Sequence, residues 1–296
     1  MSVLPDDLVS PPPRLRVGVV GTGRVGAVLG AALRRTGHEV TAASARTDLS
    51  RVRAEALLPG VPIVDPRQVP DHADLLLLTV PDDALPQVVA DLAGRVRPGQ
   101  IVMHASGRHG LDVLAPLVGV LPIAAHPIMT FTGTSLDLGR LEDCPFGVTA
   151  NDEVFAVAAA LVVEMGGDPV RVEGSSRTTY HAALAHGANH LVTLVAQTLD
   201  LLAAAGVEDP ARIARPLLTA ALDNALREGD RALTGPVARG DIETVRAHLS
   251  QLSDPDVRAA YQAMAAVTLR RAVASGMLSP TAAEPIALLI DEGSAS

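Results

Sequence analysis

Hydrophobic positions follow different patterns in the two halves of the chain. From Leu15 to about Val172, short runs rich in valine, isoleucine or leucine alternate with segments of helical periodicity. Eight of these runs are candidate strands: LRVGVV, EVTAASA, VPIV, DLLLLTV, QIVMHA, PIAAH, FGVTA and PVRV. Strands that alternate with helices are typical of a parallel sheet covered by helices. The sequence therefore predicts an α/β domain over residues 14–174.

The strand pattern stops after Gly174. Long segments rich in alanine, leucine and valine follow, separated by the turn sequences GVEDP, REGD, TGPVARGD, SDPD and SGMLSP. This pattern predicts an all-α domain of about five helices over residues 175–296. Its segment LVTLVAQTLDLLAAAG is apolar over most of its circumference, which predicts a central helix packed on several sides.

Composition narrows the classes of partner. The net charge is −9 and 2% of the residues are aromatic, whereas a nucleic-acid binder needs a basic face and often stacking rings. Charged residues make up 19% of the chain, below the roughly 25% of ordinary soluble proteins. We therefore expect no nucleic-acid partner, and we expect an additional buried surface, most simply a homodimer formed through the helical domain.

Targeting and redox signals favour the cytoplasm. Residues 1–13 contain two aspartates and a PPP run, which predicts a disordered tail and not a signal peptide. The apolar run ADLLLLTV is far shorter than a membrane helix. Cys144 is the one cysteine, so the chain has no internal disulfide and no thiolate cluster for zinc.

A glycine-rich turn follows the first predicted strand. Gly21-Thr22-Gly23-Arg24-Val25-Gly26 has the pattern GxGxxG and leads directly into the helical sequence AVLGAALRRTG. In such a strand–turn–helix unit the glycines let the backbone approach a pyrophosphate, which then lies at the helix N-terminus. The α/β half is therefore predicted to be a Rossmann domain that binds a dinucleotide.

The end of the second predicted strand indicates which dinucleotide binds. An acidic residue there, about 20 residues beyond the glycines, would hold the ribose 2′-hydroxyl of NAD. This chain has instead Ser44, Arg46 and Thr47, and hydroxyls with a guanidinium favour a 2′-phosphate. NADP(H) is the expected cofactor, although the nearby Asp48 leaves open that Arg46 is only a solvated loop charge.

Three more segments lie at the carboxyl ends of predicted strands, where such a sheet binds its ligand. Val80 and Pro81 come after the fourth predicted strand, His104 and Ser106 after the fifth, and His126 ends the sixth. We expect Val80 and Pro81 to contact the cofactor, and His104, Ser106 and His126 to lie near the substrate. Ser106 binding its own loop, or His126 capping its strand, remain alternatives.

Proton transfer has to use a residue other than lysine, because all 24 basic residues are arginine. The stretch YHAALAHGANH, residues 180–190, places His186 and Asn189 on one helical stripe with His190 nearby, and His181 on a different face. His186 and His190 have the spacing of a zinc pair but lack the glutamate of HExxH and a third ligand. We expect no metal there and consider His186 and His126 as competing acids.

These motifs together resemble a known family. GxGxxG, the VPD loop, HxSG, HPxMTF, GGxPV, YHAALAHGANHLVTL, ALDNAL and TGPVARGD are similar to bacterial Rossmann-like proteins whose helical C-terminal domain was once of unknown function. Members have been assigned as an alternative ketopantoate reductase. The architecture resembles the 6-phosphogluconate dehydrogenase and pyrroline-5-carboxylate reductase superfamily. The resemblance covers about residues 15–278.

The resemblance implies roles for individual residues. Asn189 matches an asparagine used by many of these dehydrogenases, but the lysine four residues earlier is Ala185 here, which leaves His186 as the nearest replacement acid. His126-Pro127 resembles the HPM motif of prephenate dehydrogenases. Thr234, Gly235 and Arg239 lie in a turn where pyrroline-5-carboxylate reductases bind the substrate carboxylate, although a helix-capping turn opened by Asp241 is the alternative.

The function expected from the sequence is an NADPH-dependent reductase of a small 2-keto acid, with ketopantoate, in pantothenate biosynthesis, as the first candidate. His126 or His186 supplies the proton, Asn189 and Ser106 hold the oxygen that is reduced, and Arg239 or Arg177 pairs with the substrate carboxylate. His104 and His190 are expected near the substrate. Reduction of a C=N bond, and binding of NADP(H) without turnover, are the alternatives.

Overall fold

A computed structural model describes residues 14–292 of the 296-residue chain. The tail expected at residues 1–13 lies outside the described residues. The chain divides into two compact units, the first ending at Gly187 and the second beginning at Ala188. The division therefore falls inside a helix, α6, which covers Arg177–Ala204.

The first unit is built on a seven-stranded sheet with the order β2-β1-β3-β4-β5-β6-β7. Strands β1 to β5 are parallel, β6 is antiparallel to β5, and β7 is parallel to β6. The strands are β1 (Arg16–Val20), β2 (Glu39–Ser44), β3 (Leu75–Leu78), β4 (Ile101–His104), β5 (Leu121–Pro127), β6 (Pro145–Ala150) and β7 (Asp168–Arg171).

Seven of the eight predicted strands are present, and two details of the prediction are wrong. The VPIV segment forms no strand and contributes one isolated bridge between Ile63 and Ala43. The sheet is also not wholly parallel, because β6 runs against β5 with His126 opposite Gly147. Hydrophobic periodicity identifies strands but carries no information on their direction.

Helices cover both faces of this sheet, as buried parallel strands require. In the four-leucine strand β3, Leu75 and Leu77 join the core on one face while Leu76 and Leu78 join the core on the other. This follows from the alternation of side chains along a strand. The helices are α1 (Arg24–Arg35), α2 (Asp48–Leu57), α3 (Leu85–Leu92), α4 (Leu136–Arg140) and α5 (Asp152–Glu164), and α6 begins at Arg177.

A buried histidine ties the edge of this unit together. The Nδ1 atom of His38 accepts a hydrogen bond from the Leu15 backbone N–H, and Nε2 lies 2.7 Å from a carboxylate oxygen of Glu164. The His38 side chain is only 1% exposed. One imidazole therefore joins the start of β1, the start of β2 and the end of α5.

We expect His38→Ala to lower the free energy of unfolding by about 2–3 kcal/mol, because it leaves a buried N–H and a carboxylate without their partner. Urea unfolding followed by circular dichroism measures the change. His72→Ala is the matched control, since that side chain is exposed and its loss should change stability by less than about 0.5 kcal/mol. Equal stabilities for His38→Ala and wild type would refute this role.

The second unit is helical, as predicted. Its core joins residues of α8, α9, α10 and α11, including the fully buried Val245, Ala272 and Ile286. Asp209, Asp241 and Asp254 each cap a helix by accepting a backbone N–H, which explains the turn sequences that contain them. After α6 come α7 (Pro210–Glu228), α8 (Pro236–Arg239), α9 (Ile242–Gln251), α10 (Pro255–Ala274) and α11 (Pro280–Glu292).

Helix α6 differs from its prediction as a central, packed helix. In the single chain Leu191, Val192 and Leu194 are exposed, Val192 by 70%. The apolar pattern indicates that these side chains avoid water but does not identify what covers them. Within residues 14–292, no helix is both long and apolar enough to cross a bilayer.

Candidate cofactor and active site

The glycine turn lies at the carboxyl end of β1, where the sheet order reverses between β2 and β3. Gly21 has φ +96° and packs against Thr79 and Val80, so a side chain there would be strained and crowded. A Cβ on Gly26 would overlap the Gly21 carbonyl and Thr79. A Cβ on Gly23 would instead meet nothing within 4 Å, so the space over the N-terminus of α1 is open.

That open space fits a pyrophosphate. Gly23 is the N-cap of α1 and provides no side-chain hydrogen bond to the first N–H groups. Unsatisfied N–H groups and the positive end of a 12-residue helix attract phosphate oxygens. Gly21, Thr22, Gly23, Arg24, Val25 and Gly26 thus form the cradle that the sequence predicts.

The loop after β2 has two roles. It forms hydrogen bonds with the glycine turn, and it lies at the end of the sheet where the cofactor is expected. The Ser44 hydroxyl accepts the Gly21 N–H, and the buried Thr22 hydroxyl donates to the carbonyls of Ser44 and Ser50. Thr47 caps α2 through a reciprocal pair with Ser50. Ser44 and Thr47 therefore have structural hydrogen bonds already, whereas Arg46 is exposed.

A cavity of about 440 Å³ adjoins the turn. Gly21, Ser44, Arg46, Val80 and Pro81 line it, together with Asp65, Arg67 and Asp91. This brings together the loop after β2 and the loop after β3, the two segments predicted to hold the cofactor. The cavity has the position of the adenosine half of a Rossmann site.

The loop after β4 is organised by His104. Its ring is fully buried, Nδ1 accepts the Ser106 N–H, and Nε2 lies 3.0 Å from the Gly110 carbonyl. Burial lowers the pKa of His104 to about 4, so the ring is neutral at pH 7. Both nitrogens are used within the loop, which gives His104 a structural role where substrate contact was expected.

Ser106 is also buried within this loop. Its hydroxyl accepts the His109 N–H, and its carbonyl accepts a hydrogen bond from Arg177. The His109 ring in turn lies 3.0 Å from the Asp82 carbonyl. The loops after β3 and β4 are therefore linked, which fixes the crevice edge.

His126 ends β5 beside two aromatic side chains of α6. Its Nδ1 lies 2.8 Å from the Tyr180 hydroxyl, and the His181 ring meets it edge-on at 6.1 Å between centroids. Gly107 makes room for this group, because a Cβ there would clash with His181 and crowd Nε2 of His126. Burial first, then the charges of Arg177 and His181, lower the pKa of His126 to about 4.

Arg177, which was a candidate for binding the substrate carboxylate, lies inside the first unit. The residue is 1% exposed. Nη1 donates to the Gly147 carbonyl and to the Thr149 hydroxyl, and Nη2 donates to the Ser106 carbonyl. Its Nε has no partner. Arg177 therefore holds β6, the loop after β4 and α6 together.

The remaining predicted residues lie along α6 and in the second unit. His186, Asn189 and His190 are exposed on α6, and Thr234, Gly235 and Arg239 lie at the start and end of the short helix α8. The side chains of α6 that meet His126 are those of Tyr180 and His181, at the beginning of the helix. Within residues 14–292, no group of three or more His, Cys, Asp or Glu side chains is arranged for a metal.

Sequence reasoning missed Tyr180 and His181 as site residues. Helical spacing placed His181 on a different face from His186, but it did not show which face meets the sheet. The only available signal was that both residues follow Arg177 within one turn, close after the last strand. Their contact with His126 spans 54 residues of sequence for Tyr180, so no local pattern reveals it.

The fold and the glycine turn define a dinucleotide-binding protein of the Rossmann type. Residues 4–127 match the family described as a Rossmann-like domain, and residues 144–268 match the domain of unknown function DUF2520. The chain therefore carries a Rossmann-like domain followed by a DUF2520 domain, and the two matches together cover most of its length.

Known proteins with related sequence or fold are NAD(P)-dependent oxidoreductases. Glycerol-3-phosphate dehydrogenase (NAD(P)+) of Geobacter sulfurreducens is 29% identical over 163 residues, which cover 49% of this chain and 49% of that protein. The chain thus aligns with about half of that relative's length.

Two solved structures share the fold over most of the chain. BF3122 of Bacteroides fragilis, a candidate NADP oxidoreductase, has a TM-score of 0.73 at 20% identity, covering 87% of this chain and 98% of that one. An imine reductase of Myxococcus stipitatus in complex with NADP+ has a TM-score of 0.64 at 17% identity, covering 88% and 95%. At these identities the likeness concerns the fold.

Proposed function

We propose that this protein is an NADPH-dependent reductase of a small 2-keto acid, with ketopantoate as the first substrate to test. The observation that carries the proposal is a neutral, half-buried His126 with its Nδ1 engaged by Tyr180, at the carboxyl end of a strand in a Rossmann sheet. Among residues 14–187, the hydrogen bond of the His126 ring is the one at Nδ1, so we assign Nε2 to a substrate oxygen.

The cofactor would supply the hydride, and the chain would hold the reactants and move the proton. The cradle of residues 21–26 would bind the pyrophosphate, and Val80 and Pro81 would pack on the adenosine, since they line the same cavity as Ser44 and Arg46. His126 is favoured over His186 as the acid because it lies at the carboxyl end of β5, on the ligand side of the sheet. Ser106 and Asn189 remain our candidates for holding the carbonyl oxygen.

The substrate carboxylate is assigned to the turn around α8. Arg239 is exposed at the end of this helix, and Gly235 has φ +94° at its N-cap, which leaves the first N–H groups without a side-chain cap. Arg177 is a weaker candidate, since its Nη atoms already donate to the chain. His190 remains a candidate for contact with the substrate.

We keep the cytoplasm as the proposed location, because the single thiol is buried and needs no oxidising compartment.

Turnover on a substrate panel tests the proposal. Purified protein with NADPH should oxidise the cofactor when ketopantoate or another small 2-keto acid is added, and should do so more slowly with NADH. Loss of NADPH only with cyclic imines would favour the C=N reductase instead. The C=N reductase is the second candidate because His126 is neutral. An iminium substrate is already a cation and needs less help from an acid than a ketone does. Tight NADPH binding without turnover on any substrate would indicate a non-catalytic binding protein.

Arg46 is expected to set the preference for NADPH. A charge-assisted contact to the 2′-phosphate contributes about 1.5–3 kcal/mol, so Arg46→Ala should weaken NADPH binding roughly 10- to 100-fold and leave NADH binding almost unchanged. Titration calorimetry with both cofactors measures this. Arg35→Ala, an exposed arginine at the other end of α1, is the matched control. Equal weakening for NADPH and NADH would contradict the assignment.

We further propose that the protein forms a homodimer through the helical unit. Val192 on α6 and Leu217 and Leu226 on α7 are between 70% and 80% exposed, and exposed apolar side chains are a common feature of protein interfaces when they form a patch. Light scattering should give twice the chain mass of 30.5 kDa. Leu217→Asp should shift the protein towards monomer, whereas Val118→Asp, at an exposed position of the first unit, should not. A monomeric wild type at micromolar concentration would refute this.

A further inference from the structure

Tyr180 is placed to control the ionisation and orientation of His126. Its hydroxyl lies 2.8 Å from Nδ1, and the two rings meet edge-on at 5.8 Å with an interplanar angle of 89°. The phenol occupies the space over Gly147, where a Cβ would overlap the hydroxyl and the ring carbon that bears it. Glycine at position 147 is therefore required for this position of the phenol ring. The contact between Tyr180 and His126 depends on it.

The opposite side of the imidazole is bordered by Gly107. A Cβ on Gly107 would lie 3.1 Å from Nε2 of His126, so the glycine keeps space beside that nitrogen. The two nitrogens of the His126 ring therefore have different surroundings. Nδ1 faces a protein hydroxyl over Gly147, and Nε2 faces the small residue of the loop after β4.

Tyr180 and His126 are both neutral at pH 7, and the direction of their hydrogen bond determines the imidazole tautomer. Burial raises the pKa of Tyr180, which keeps the phenol protonated at neutral pH. The pKa of His126 is lowered to about 4, chiefly by burial, so the imidazole is neutral. A phenol O–H that donates to Nδ1 requires that Nδ1 carry no proton, and the ring hydrogen is then on Nε2.

The charged neighbours favour passage of a proton along this pair. The Arg177 guanidinium lies 5.8 Å from the centre of the Tyr180 ring, and it lowers the pKa of both Tyr180 and His126. Asp82 and His181 also act on His126, with opposite signs. A buried cation such as Arg177 would stabilise a phenolate that forms beside it.

We propose that Tyr180 is a positioning residue that works through His126: its hydroxyl holds the imidazole as the Nε2–H tautomer and supplies a proton to Nδ1 while Nε2–H protonates the substrate oxygen. The inference rests on the proposed reduction. As hydride reaches the carbonyl carbon, the Nε2–H bond breaks and an O–H bond forms on the substrate. The Tyr180 O–H bond breaks as Nδ1–H forms. After product leaves, Nδ1–H returns its proton to the phenolate and Nε2 takes a proton from solvent, which restores the phenol and the Nε2–H tautomer.

This relay explains how a neutral imidazole can act as a proton donor. A neutral imidazole is a very weak acid, because loss of Nε2–H alone would leave an imidazolate. Proton supply to Nδ1 keeps the ring neutral throughout, so the net donor is a phenol, which is a stronger acid than the alcohol formed. The same argument explains why a histidine with a lowered pKa can serve as the donor at neutral pH.

The tautomer can be measured without any substrate. In protein labelled with ¹⁵N-histidine, long-range ¹H–¹⁵N correlation spectra should show His126 as the Nε2–H form in the wild type. Tyr180→Phe should lose this preference and move the Nδ1 resonance. The chain offers a matched control, since Tyr261 contacts Nδ1 of His248 at 2.9 Å with nearly the same ring geometry. Tyr261→Phe should move the His248 resonances and leave those of His126 in place.

Kinetics test the relay itself. Tyr180→Phe should lower kcat roughly 10- to 100-fold with little change in KM and with an altered pH profile. An Nδ1–H tautomer in the wild type, or His126 resonances that are the same in Tyr180→Phe, would overturn the proposal. An unchanged kcat and pH profile in Tyr180→Phe would overturn the relay. If no substrate is reduced by the wild type, the proposed function fails, while the spectra still decide the role of Tyr180.

Discussion

His126→Gln is expected to lower kcat/KM for the preferred 2-keto acid by roughly 10²- to 10⁴-fold, the range typical of a lost general acid. Glutamine can still occupy the space over Gly107, but it cannot pass a proton between Tyr180 and a substrate. The cofactor cradle and the cavity beside it contain no atom of His126. The affinity for NADPH should therefore stay within about threefold, or less than 1 kcal/mol, of wild type.

Two further variants test whether the loss of activity in His126→Gln is specific to this residue. His186→Gln replaces the competing acid, and a larger loss there than in His126→Gln would show that the proton comes from α6. His72→Gln makes the same substitution at an exposed position and controls for the mere loss of an imidazole. Full activity of His126→Gln on a keto acid would remove His126 from the reaction.

Acid is expected to destabilise the first unit from about pH 6.5 downwards, well above the range in which carboxylates protonate. The pKa of His104 is about 4 in the folded protein because the ring is buried, whereas an unfolded histidine has a pKa of about 6.5. Between these values the unfolded chain binds more protons, so stability falls as the pH falls. The shift corresponds to a loss on the order of 3 kcal/mol by pH 4, and His126 acts in the same direction.

Urea unfolding at several pH values between about 7.5 and 4.5 measures this effect. Asp137, whose hydrogen bonds lower its pKa below the usual value, contributes stability that is lost only under more acidic conditions. His104→Asn should be less stable than wild type at neutral pH, because it loses ring hydrogen bonds, but should lose less stability on acidification. Parallel pH curves for the two proteins would contradict the account.

The sequence predicts most of the fold because local patterns encode it. The strand–turn–helix unit at Gly21–Gly26 is correctly assigned, since Gly21 and Gly26 have local steric reasons and Gly23 leaves the space over the helix N-terminus open. The buried runs of β1, β3 and β4 are recognisable by composition alone. The antiparallel direction of β6 and the single bridge at Ile63 are not, because both depend on tertiary pairing.

The candidate site was only partly predictable for the same reason. His126 stands out because it ends a strand, and its importance follows from sheet topology. The roles of Tyr180, Gly107 and Gly147 depend on how α6 meets the sheet, which neither periodicity nor spacing reveals. His104 illustrates the converse, since a histidine at a strand end can be used entirely within its own loop.

In the proposed reaction, hydride passes from NADPH to a carbonyl carbon beside His126. The most direct measurement uses NADPH carrying deuterium at C4 of the nicotinamide on the transferred face, with wild-type protein and ketopantoate, followed by mass spectrometry of the product. The account predicts one deuterium on the carbon that carried the carbonyl oxygen, and none when protein is omitted. Absence of deuterium from the hydroxy acid with ketopantoate and with every other small 2-keto acid would contradict it.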